Sequence, residues 1–459
     1  MKHALLALVC LFLFTANTFA SSDPRLFPNN KFGINTLAPS AELAEAASLV
    51  NTNGDWGWVV IVINKNERNL DHWQQVFNQL NEHHLTPIVR IATNVNENGN
   101  WQKPTDSDAQ DWAQFLNSLY WPTKNRYVQI YNEVNRASEW GDNVDPTDYA
   151  RELDKTINSL KAASEDFFIL NAPLDLALNT SQNSQDAAVF FQTMEQAVPG
   201  IFNKLDGWAS HSYPNPDFSA SPLKSGRTGI DGYKWELQQI SAYTKKDLPI
   251  FITETGWKRA PNGERGLSQD DIANFYRIAF NNIWIDNKVA AVAPFLLDYP
   301  EKLFQSFSFK ENGICLKYCD TLRDLQKVKG APLRENKAQF TKLTHSQIVI
   351  SRSLNKAEME IKNEGNFIWD TQNFTININS PDILVSNVLW KDQKVYPGQI
   401  AHATLELQVQ KVEAVSFSTQ IKENGNILSQ KNSSIESKTY PDFIISSIRT
   451  IVTNLSNMT

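Results

Sequence analysis

The sequence predicts an α/β protein, in which a (β/α)₈ barrel, or TIM barrel, is followed by a C-terminal β-sandwich. Between about residues 31 and 300, eight short runs rich in β-branched and aromatic residues alternate with longer amphipathic segments, as repeated βα units do. From the fourth run to the eighth, the run ends fall roughly 40 residues apart, which leaves room for one helix and two loops each time. After about Gly330 helical periodicity fades and short alternating runs appear, which indicates a small β-sandwich.

The length of the chain indicates more than one folded unit. A chain of 459 residues with 41% hydrophobic content exceeds what one compact domain usually holds. We expect a signal peptide at 1–20, the barrel at 21–335, an accessory β-sandwich at 341–437 and a C-terminal amphipathic helix at 441–459.

The first twenty residues have the pattern of a signal peptide. Lys2 and His3 precede an apolar run at 4–14, and small residues at 18–20 resemble a cleavage site. The apolar run is well short of the ~20 residues that a membrane-spanning helix needs. We therefore expect a secreted or periplasmic protein that loses Cys10 with the signal.

Two cysteines then remain, Cys315 and Cys319. In an oxidising compartment this spacing favours a small disulfide loop, whereas a metal site would need further Cys or His nearby. The net charge of −7 becomes −8 when Lys2 is removed, so nucleic acid is not an expected partner.

Each predicted element has its own local signal. Asp145 followed by Pro146 predicts a helix start, and residues 268–271 resemble a capping box. In the C-terminal region, Asn363-Glu-Gly365 and Asn424-Gly-Asn426 predict turns. The predicted barrel strands are 32–35, 57–63, 86–91, 127–131, 167–171, 207–210, 249–253 and 289–296, and the predicted sandwich strands include 347–351, 357–361, 374–378 and 403–409.

Polar residues follow three of the predicted barrel strands. Asn132-Glu133 follows the fourth, His211-Ser-Tyr213-Pro214 the sixth and Glu254 the seventh. A single carboxylate there often caps the next helix. Strands four and seven, however, lie across the barrel mouth, where the active sites of such barrels are found. Two carboxylates facing one cleft are what glycoside hydrolysis requires.

These three segments resemble glycoside hydrolase clan A, and the resemblance covers about residues 31 to 300. It implies a retaining β-glycosidase in which Glu133 is the acid/base, Asn132 binds the sugar 2-hydroxyl and Glu254 is the nucleophile. The segment starting at Glu254 is similar to family 17 endo-β-1,3-glucanases, while the segment starting at His211 is closer to family 5 cellulases and mannanases. The family within the clan therefore stays open.

Three further residues are candidate helpers of the carboxylates. The resemblance implies that an Arg from an early strand and a Tyr from strand six hold the nucleophile ionised, and Arg90 and Tyr213 occupy such positions. His211 would hold Glu133 or a sugar hydroxyl. The competing interpretations are a helix-capping or surface arginine and a buried core histidine. We also expect mutual repulsion of the two carboxylates to raise the pKa of Glu133.

Aromatic residues near strand ends are candidates for stacking on sugar rings, although most Trp residues in a barrel pack in its core. Trp140, Trp257 and Tyr299 follow strands four, seven and eight. Many clan members place a Trp at the end of strand eight, where this chain has Phe295. This departure keeps open a barrel that binds glycan without cleaving it. A third alternative is an adhesive or structural surface protein in which the C-terminal sandwich is the active part.

No cofactor is expected, and no metal, because the chain has only seven His and lacks an H-E-x-x-H motif. No G-x-S-x-G motif marks a serine hydrolase, and the Gly-rich loops of phosphate-binding barrels are absent after strands seven and eight. The predicted partner is an oligosaccharide or polysaccharide, and the sequence leaves the oligomeric state open. In the sandwich, Trp369 and Trp390 are either core residues or sugar contacts. The terminal helix is expected to pack on its own domain, with attachment to a membrane surface as the alternative.

Overall fold

A computed structural model describes residues 21–260 and 266–456. The predicted signal peptide at 1–20 lies outside these residues. Both predicted classes of structure are present: parallel strands alternating with helices in the first part, and mostly antiparallel strands in the second.

Eight parallel strands form a ring. Strands β1 to β5 form one sheet and β6 to β8 another. A bridge between Leu170 and Gly207 joins the sheets on one side, and a bridge between Phe32 and Val292 joins them on the other. The strands are β1 (Gly33–Thr36), β2 (Gly57–Asn64), β3 (Leu85–Ala92), β4 (Arg126–Ile130), β5 (Phe167–Leu170), β6 (Trp208–His211), β7 (Ile250–Thr255) and β8 (Val289–Pro294).

Helices follow these strands as the sequence predicts. The Asp145 side chain accepts a hydrogen bond from the Asp148 amide with Pro146 at the helix start, and Ser268 and Asp271 form the predicted capping box. The helices are α1 (Pro39–Val50), α2 (Leu70–Glu82), α3 (Asp108–Ser118), α4 (Pro146–Ala163), α5 (Ala187–Ala197), α6 (Gly232–Ile240) and α7 (Gln269–Ile278), the last continued by a π-helical turn (Ala279–Ile283).

Aromatic side chains fill the interior of the ring near the strand starts. Trp58, Tyr127 and Phe251 are buried there, with the Trp58 ring centroid 4.9 Å from that of Tyr127 and 5.5 Å from that of Phe251. Packing closes this end of the ring, so a cleft can open only at the carboxyl ends of the strands.

A short segment follows the ring. It contains β9 (Lys310–Glu311), β10 (Ile314–Cys315) and α8 (Lys317–Asp324). The predicted disulfide between Cys315 and Cys319 is present and joins β10 to α8.

The C-terminal strands form two four-stranded sheets that share one hydrophobic core. Trp369 belongs to that core. Asn424 and Gly425 both have positive φ, the geometry of a tight hairpin turn, and connect β19 to β20 as predicted. The strands are β11 (Ala338–His345), β12 (Ile348–Ile350), β13 (Asn355–Asn363), β14 (Trp369–Asp370), β15 (Phe374–Asn379), β16 (Ile383–Trp390), β17 (Lys394–Val395), β18 (Ile400–Val409), β19 (Ala414–Glu423) and β20 (Asn426–Lys438).

The last helix, α9 (Tyr440–Ser456), occupies the predicted position. Its Ile444, Ile445 and Ile448 are 41%, 50% and 55% exposed, so the expected packing on its own domain does not cover these three side chains. Within residues 21–260 and 266–456, no helix has both the length and the apolar character to cross a membrane.

Candidate active site

A cleft of about 590 Å³ lies at the carboxyl ends of the barrel strands. Its size is ordinary for a small-molecule or substrate site. The lining includes Arg90, Asn132, Glu133, Tyr213, Glu254 and Tyr299 from the sequence prediction, together with Leu37, Val62, Asn64, Glu67, Trp101, Arg136, Ser138, Glu139, Asp175, Phe218, Phe295, Phe304 and Phe307.

Glu133 is presented by an irregular loop after β4. The strand ends at Ile130, and Tyr131 and Glu133 have φ values of 67° and 33°, which non-glycine residues rarely adopt. The Glu133 amide donates a hydrogen bond to the Pro173 carbonyl in the loop after β5, at 2.9 Å. This bond fixes the backbone that aims the carboxylate into the cleft.

Glu254 is the second-last residue of β7 rather than the first residue after the strand. It pairs in register with His211, the last residue of β6, beyond a register shift that begins at Ser210. Such irregularities re-aim side chains at barrel rims. They bring His211 and Glu254 to the same level at the cleft floor.

The two carboxylates and the imidazole form one compact cluster. Glu133, His211 and Glu254 each have one nitrogen or oxygen atom within 4.8 Å of the others. The His211 Nδ1 atom is 2.9 Å from Glu133 Oε1 and 3.6 Å from Glu254 Oε2. The Glu133 and Glu254 side chains are 16% and 13% exposed, so both are shielded from water yet open to the cleft.

Tyr213 and Arg90 contact Glu254 from two sides. The Tyr213 hydroxyl donates to Glu254 Oε2 at 3.1 Å, and Arg90 Nη1 is 3.7 Å from Glu254 Oε1. Arg90 also packs over the Trp101 ring, 5.6 Å from its centroid. The structure thus brings both predicted helpers to the seventh-strand carboxylate.

The pKa values of the cluster differ from the sequence expectation. Burial alone would raise the pKa of Glu133, but the hydrogen bond and charge of His211 and the charges of Arg136 and Arg90 outweigh it, so the pKa lies below its usual value. The expected rise for Glu133 is therefore wrong in this state. Burial and the Glu133 charge raise the pKa of Glu254 against the opposing charges of His211 and Arg90.

His211 connects the two carboxylates electrostatically. Burial lowers its pKa, but the charge of Glu254 and the hydrogen bond and charge of Glu133 outweigh burial and leave the pKa above its usual value. The His211 ring is buried and lies between the two carboxylates.

Glu254 and Glu133 each lie beside an arginine, and each arginine also contacts a further carboxylate outside the cluster. Arg90 Nη2 is 3.7 Å from Glu139 Oε2, while Arg136 Nε is 3.1 Å from Glu133 Oε2 and its Nη2 atom donates to Asp175. Burial raises the pKa of Glu139 to about 7, although Arg90 opposes the shift.

Sequence reasoning missed Arg136, Glu139 and Asp175. Arg136 and Glu139 lie three and six residues after Glu133, and Asp175 lies five residues after the end of β5. Inspection of residues that directly follow strands does not reach these positions. A search for charged residues throughout the loops after β4 and β5 would have found them.

Trp140 and Trp257 do not line the cleft, contrary to the expectation. Trp140 is 1% exposed and its indole donates to Asp148, at 2.9 Å. Trp257 is 2% exposed and its indole donates to the Ala220 carbonyl, at 2.8 Å. Each ring packs against the helix that follows: the Trp140 ring is 5.5 Å from that of Tyr149 in α4, and the Trp257 ring is 5.0 Å from that of Tyr276 in α7. Among the predicted aromatic residues, Tyr299 does line the cleft.

The end of β8 supplies an aromatic wall despite the absence of Trp there. Phe295 packs edge-on to Phe304, with centroids 5.2 Å apart, and Phe307 packs against Phe218 at 5.1 Å. These rings and Tyr299 form one side of the cleft, while Asn64, Glu67 and Ser138 belong to its polar lining.

Glu133, His211 and Glu254 could also hold a metal ion, because their ligand atoms are close enough together. In this structure hydrogen bonds join His211 to Glu133 and Tyr213 to Glu254. These bonds already use the Nδ1 atom of His211 and one oxygen of each carboxylate.

No family model matches the chain, and no curated protein matches it. Solved structures that resemble it include a family 39 glycoside hydrolase from Bacteroides cellulosilyticus WH2, with 12% identity, 84% of this chain and 82% of that chain covered, and a TM-score of 0.45. A family 128 (subgroup II) endo-β-1,3-glucanase from Sorangium cellulosum has 12% identity, covers 64% of this chain and 98% of that chain, and has a TM-score of 0.43. A β-mannanase from Streptomyces thermolilacinus has 13% identity, covers 62% of this chain and 84% of that chain, and has a TM-score of 0.38. All three structural neighbours are glycoside hydrolases.

Proposed function

We propose that this protein is a retaining glycoside hydrolase that cleaves β-linked glycans by double displacement. The observation that carries the proposal is the Glu133–Glu254 pair, whose nearest oxygens lie within 4.8 Å of each other. Retaining enzymes separate their two carboxyl groups by ~5 to 5.5 Å, whereas inverting enzymes need ~6.5 to 9.5 Å to admit a water.

In the first step, a Glu254 oxygen attacks the anomeric carbon and the glycosidic C–O bond breaks as Glu133 gives its proton to the leaving oxygen. In the second step, Glu133 takes a proton from water, whose oxygen displaces Glu254 from the anomeric carbon. Tyr213 and Arg90 stabilise the Glu254 carboxylate before attack and after release. In this proposal Asn132, which lines the cleft and is 7% exposed, binds the sugar beside Glu133.

The pKa directions imply that the cluster must rearrange its protons when substrate binds. Glu133 must carry the proton at the moment of attack, although its surroundings lower its pKa in the free protein. His211 Nδ1 lies within 3.6 Å of both carboxylates. Only its contact with Glu133, at 2.9 Å, is a hydrogen bond, so a proton can pass directly between His211 and Glu133.

The binding-only alternative accounts poorly for the cluster. Two largely buried carboxylates in mutual repulsion destabilise a fold, and glycan recognition alone does not need them at this separation. The aromatic wall after β8 also supplies a stacking surface that the departure from Trp had put in doubt.

The test is the anomeric configuration of the first product, followed by proton NMR during hydrolysis of a soluble β-linked oligosaccharide. Panels of β-1,3- and β-1,4-glucans, mannan, xylan and galactan would identify the sugar. Retention is expected, and a product of inverted configuration would overturn the proposal. Glu254→Gln should abolish turnover, and azide should partly rescue Glu133→Ala on a substrate with a good leaving group.

A further inference from the structure

Arg136 is placed unusually for a residue beside a proton donor. Its Nε atom is 3.1 Å from Glu133 Oε2, and a positive charge this close favours the ionised carboxylate over the acid. A general acid beside Arg136 needs a further group that weakens the effect of the arginine charge on the pKa of the acid.

Asp175 is the group that shares Arg136. The Arg136 Nη2 atom donates to Asp175 Oδ2, while Asp175 Oδ1 accepts from the Ala177 amide at 2.8 Å. The Asp175 backbone is held in turn by Asn135, whose side chain accepts from the Asp175 amide and donates to its carbonyl, both at 3.0 Å. Asn135 is fully buried, so the carboxylate is fixed on the loop after β5.

We propose that Asp175 and Arg136 form a positioning pair that keeps Glu133 able to act as the acid. Asp175 offsets the Arg136 charge and orients the guanidinium, so that Glu133 faces a partly neutralised cation. The inference rests on the proposed function, because it assumes that Glu133 donates a proton to the leaving group.

The location of Arg136 agrees with such a role. Arg136 and Ser138 line both the cleft and an adjoining polar depression of about 420 Å³, whose other lining includes Asn100, Asp142, Asn183 and Ser184. Arg136 therefore lies where the depression meets the cleft, within 3.1 Å of the Glu133 carboxylate.

Other charged groups also act on Glu133, and they set the background of the test. His211 on β6 and Arg90 on β3 favour its ionised form. Glu254 on β7, Glu139 in the loop after β4 and Asp175 in the loop after β5 carry opposing negative charge. Burial and the Glu133 charge raise the pKa of Asp175 itself, against the opposing charge and hydrogen bond of Arg136.

The experiment measures kcat/KM against pH for Asp175→Asn, Arg136→Gln and Arg136→Lys. The probes are phenyl and dinitrophenyl β-glycosides of the sugar that the wild-type protein cleaves. The basic limb of this profile reports the acid of the free enzyme. Asp175→Asn leaves the Arg136 charge unopposed, so the limb on the phenyl glycoside should move about one pH unit lower.

Arg136→Gln removes the positive charge, so the same limb should move higher, while Arg136→Lys should keep it near the wild-type position. The dinitrophenyl glycoside needs no protonation of its leaving group, so Asp175→Asn should lose much less kcat/KM on this substrate than on the phenyl glycoside, which separates a loss of acid catalysis from a loss of fold. The control is Asp154→Asn, which breaks an ion pair with Lys204 on the outer face of α4.

Limbs that stay in place, or that move in the same direction for Asp175→Asn and Arg136→Gln, would overturn the positioning role. Glu133→Gln separates this failure from failure of the proposed function. If Glu133→Gln keeps full turnover of the phenyl glycoside, Glu133 is not the acid and the proposed function fails. If it loses turnover while the two limbs do not move in opposite directions, only the positioning role fails.

Discussion

At the scale of single residues, the position of a side chain is predictable at a strand end but not further into the loop that follows. Glu133, His211 and Glu254 meet at one point because the carboxyl ends of parallel strands in a ring face the same side. Trp140 lies seven residues after Glu133 and Trp257 three residues after Glu254, yet both are buried in the core. Direction beyond a strand end depends on loop geometry, which hydrophobic periodicity does not contain.

The contact between Tyr213 and Glu254 gives a prediction at this scale. Tyr213→Phe removes a hydrogen bond, 3.1 Å long, to Glu254, the proposed nucleophile, and a bond to a charged group contributes about 1.5 to 3 kcal/mol. We expect kcat/KM to fall roughly 10- to 100-fold. Steady-state kinetics on the same glycosides would measure it.

The matched control is Tyr233→Phe. Tyr233 also donates its hydroxyl to a carboxylate, that of Asp286 at 3.0 Å, but it does not line the cleft. This variant should lose stability and keep its turnover per folded molecule. Equal kinetic losses in both variants would mean that the Tyr213 effect is structural.

At the scale of elements, the site depends on irregular backbone that interrupts regular strands. The register shift at the end of β6 and the positive φ at Glu133 are local departures that alternation in the sequence does not reveal. Asn135 links the loops after β4 and β5 through bonds to Asp175 and Gln185. In the sequence Asn135 is only an asparagine near a strand end, so nothing indicates that it holds Asp175 near Arg136. The Arg136–Asp175 pair was therefore not predicted.

Helix α6 contributes a buried carboxyl behind the site. Glu236 is fully buried and accepts a hydrogen bond from Ser210, the neighbour of His211 on β6. Burial raises the pKa of Glu236 from 4.5 to about 7. The folded state therefore holds this proton more tightly than the unfolded chain does, and stability tied to Glu236 is fully present below about pH 4.5 and is lost as pH rises through about 7.

Glu236→Gln should remove that pH dependence, because the amide keeps the shape without the charge. Its melting temperature relative to wild type should rise between pH 5 and pH 8, with a difference in unfolding free energy on the order of 3 kcal/mol at pH 8. Thermal melts at both pH values would measure it. A difference that is the same at the two pH values would show that Glu236 is already ionised in the fold.

At the scale of the whole molecule, the order of elements was largely predictable. The eight observed barrel strands overlap the eight predicted runs, because buried parallel strands are short apolar runs and the helices between them are amphipathic. In the C-terminal region, β11, β16, β19 and β20 were not predicted. The exposed residues of β11 and β20 are mostly polar, and strands with one solvent-facing side give weaker apolar signals.

The connection between the two sets of elements determines where the chain can be divided. Residues between α8 and β11 pack on the barrel. The Lys124 amide donates to the Leu333 carbonyl at 2.9 Å, and Arg334 donates to the Asn81 side chain at 2.7 Å. The C-terminal sheets contact the barrel through Asn366, which donates to the Trp121 carbonyl at 2.8 Å and accepts from Asn81 at 2.7 Å. All of these contacts lie away from the cleft lining.

A truncation after Lys337, directly before β11, should therefore keep turnover per folded molecule on a soluble oligosaccharide and melt earlier. It loses the Asn366 bonds and the contact of Lys394 with Glu82, 2.7 Å long. At about 1 kcal/mol for each bond, stability should fall by about 3 kcal/mol, which lowers the melting temperature by several degrees. A second truncation after Gly330 also loses Leu333 and Arg334 and should melt lower still. If the longer truncation keeps the wild-type melting temperature but loses turnover, the C-terminal sheets contribute to the active site and their accessory role is wrong.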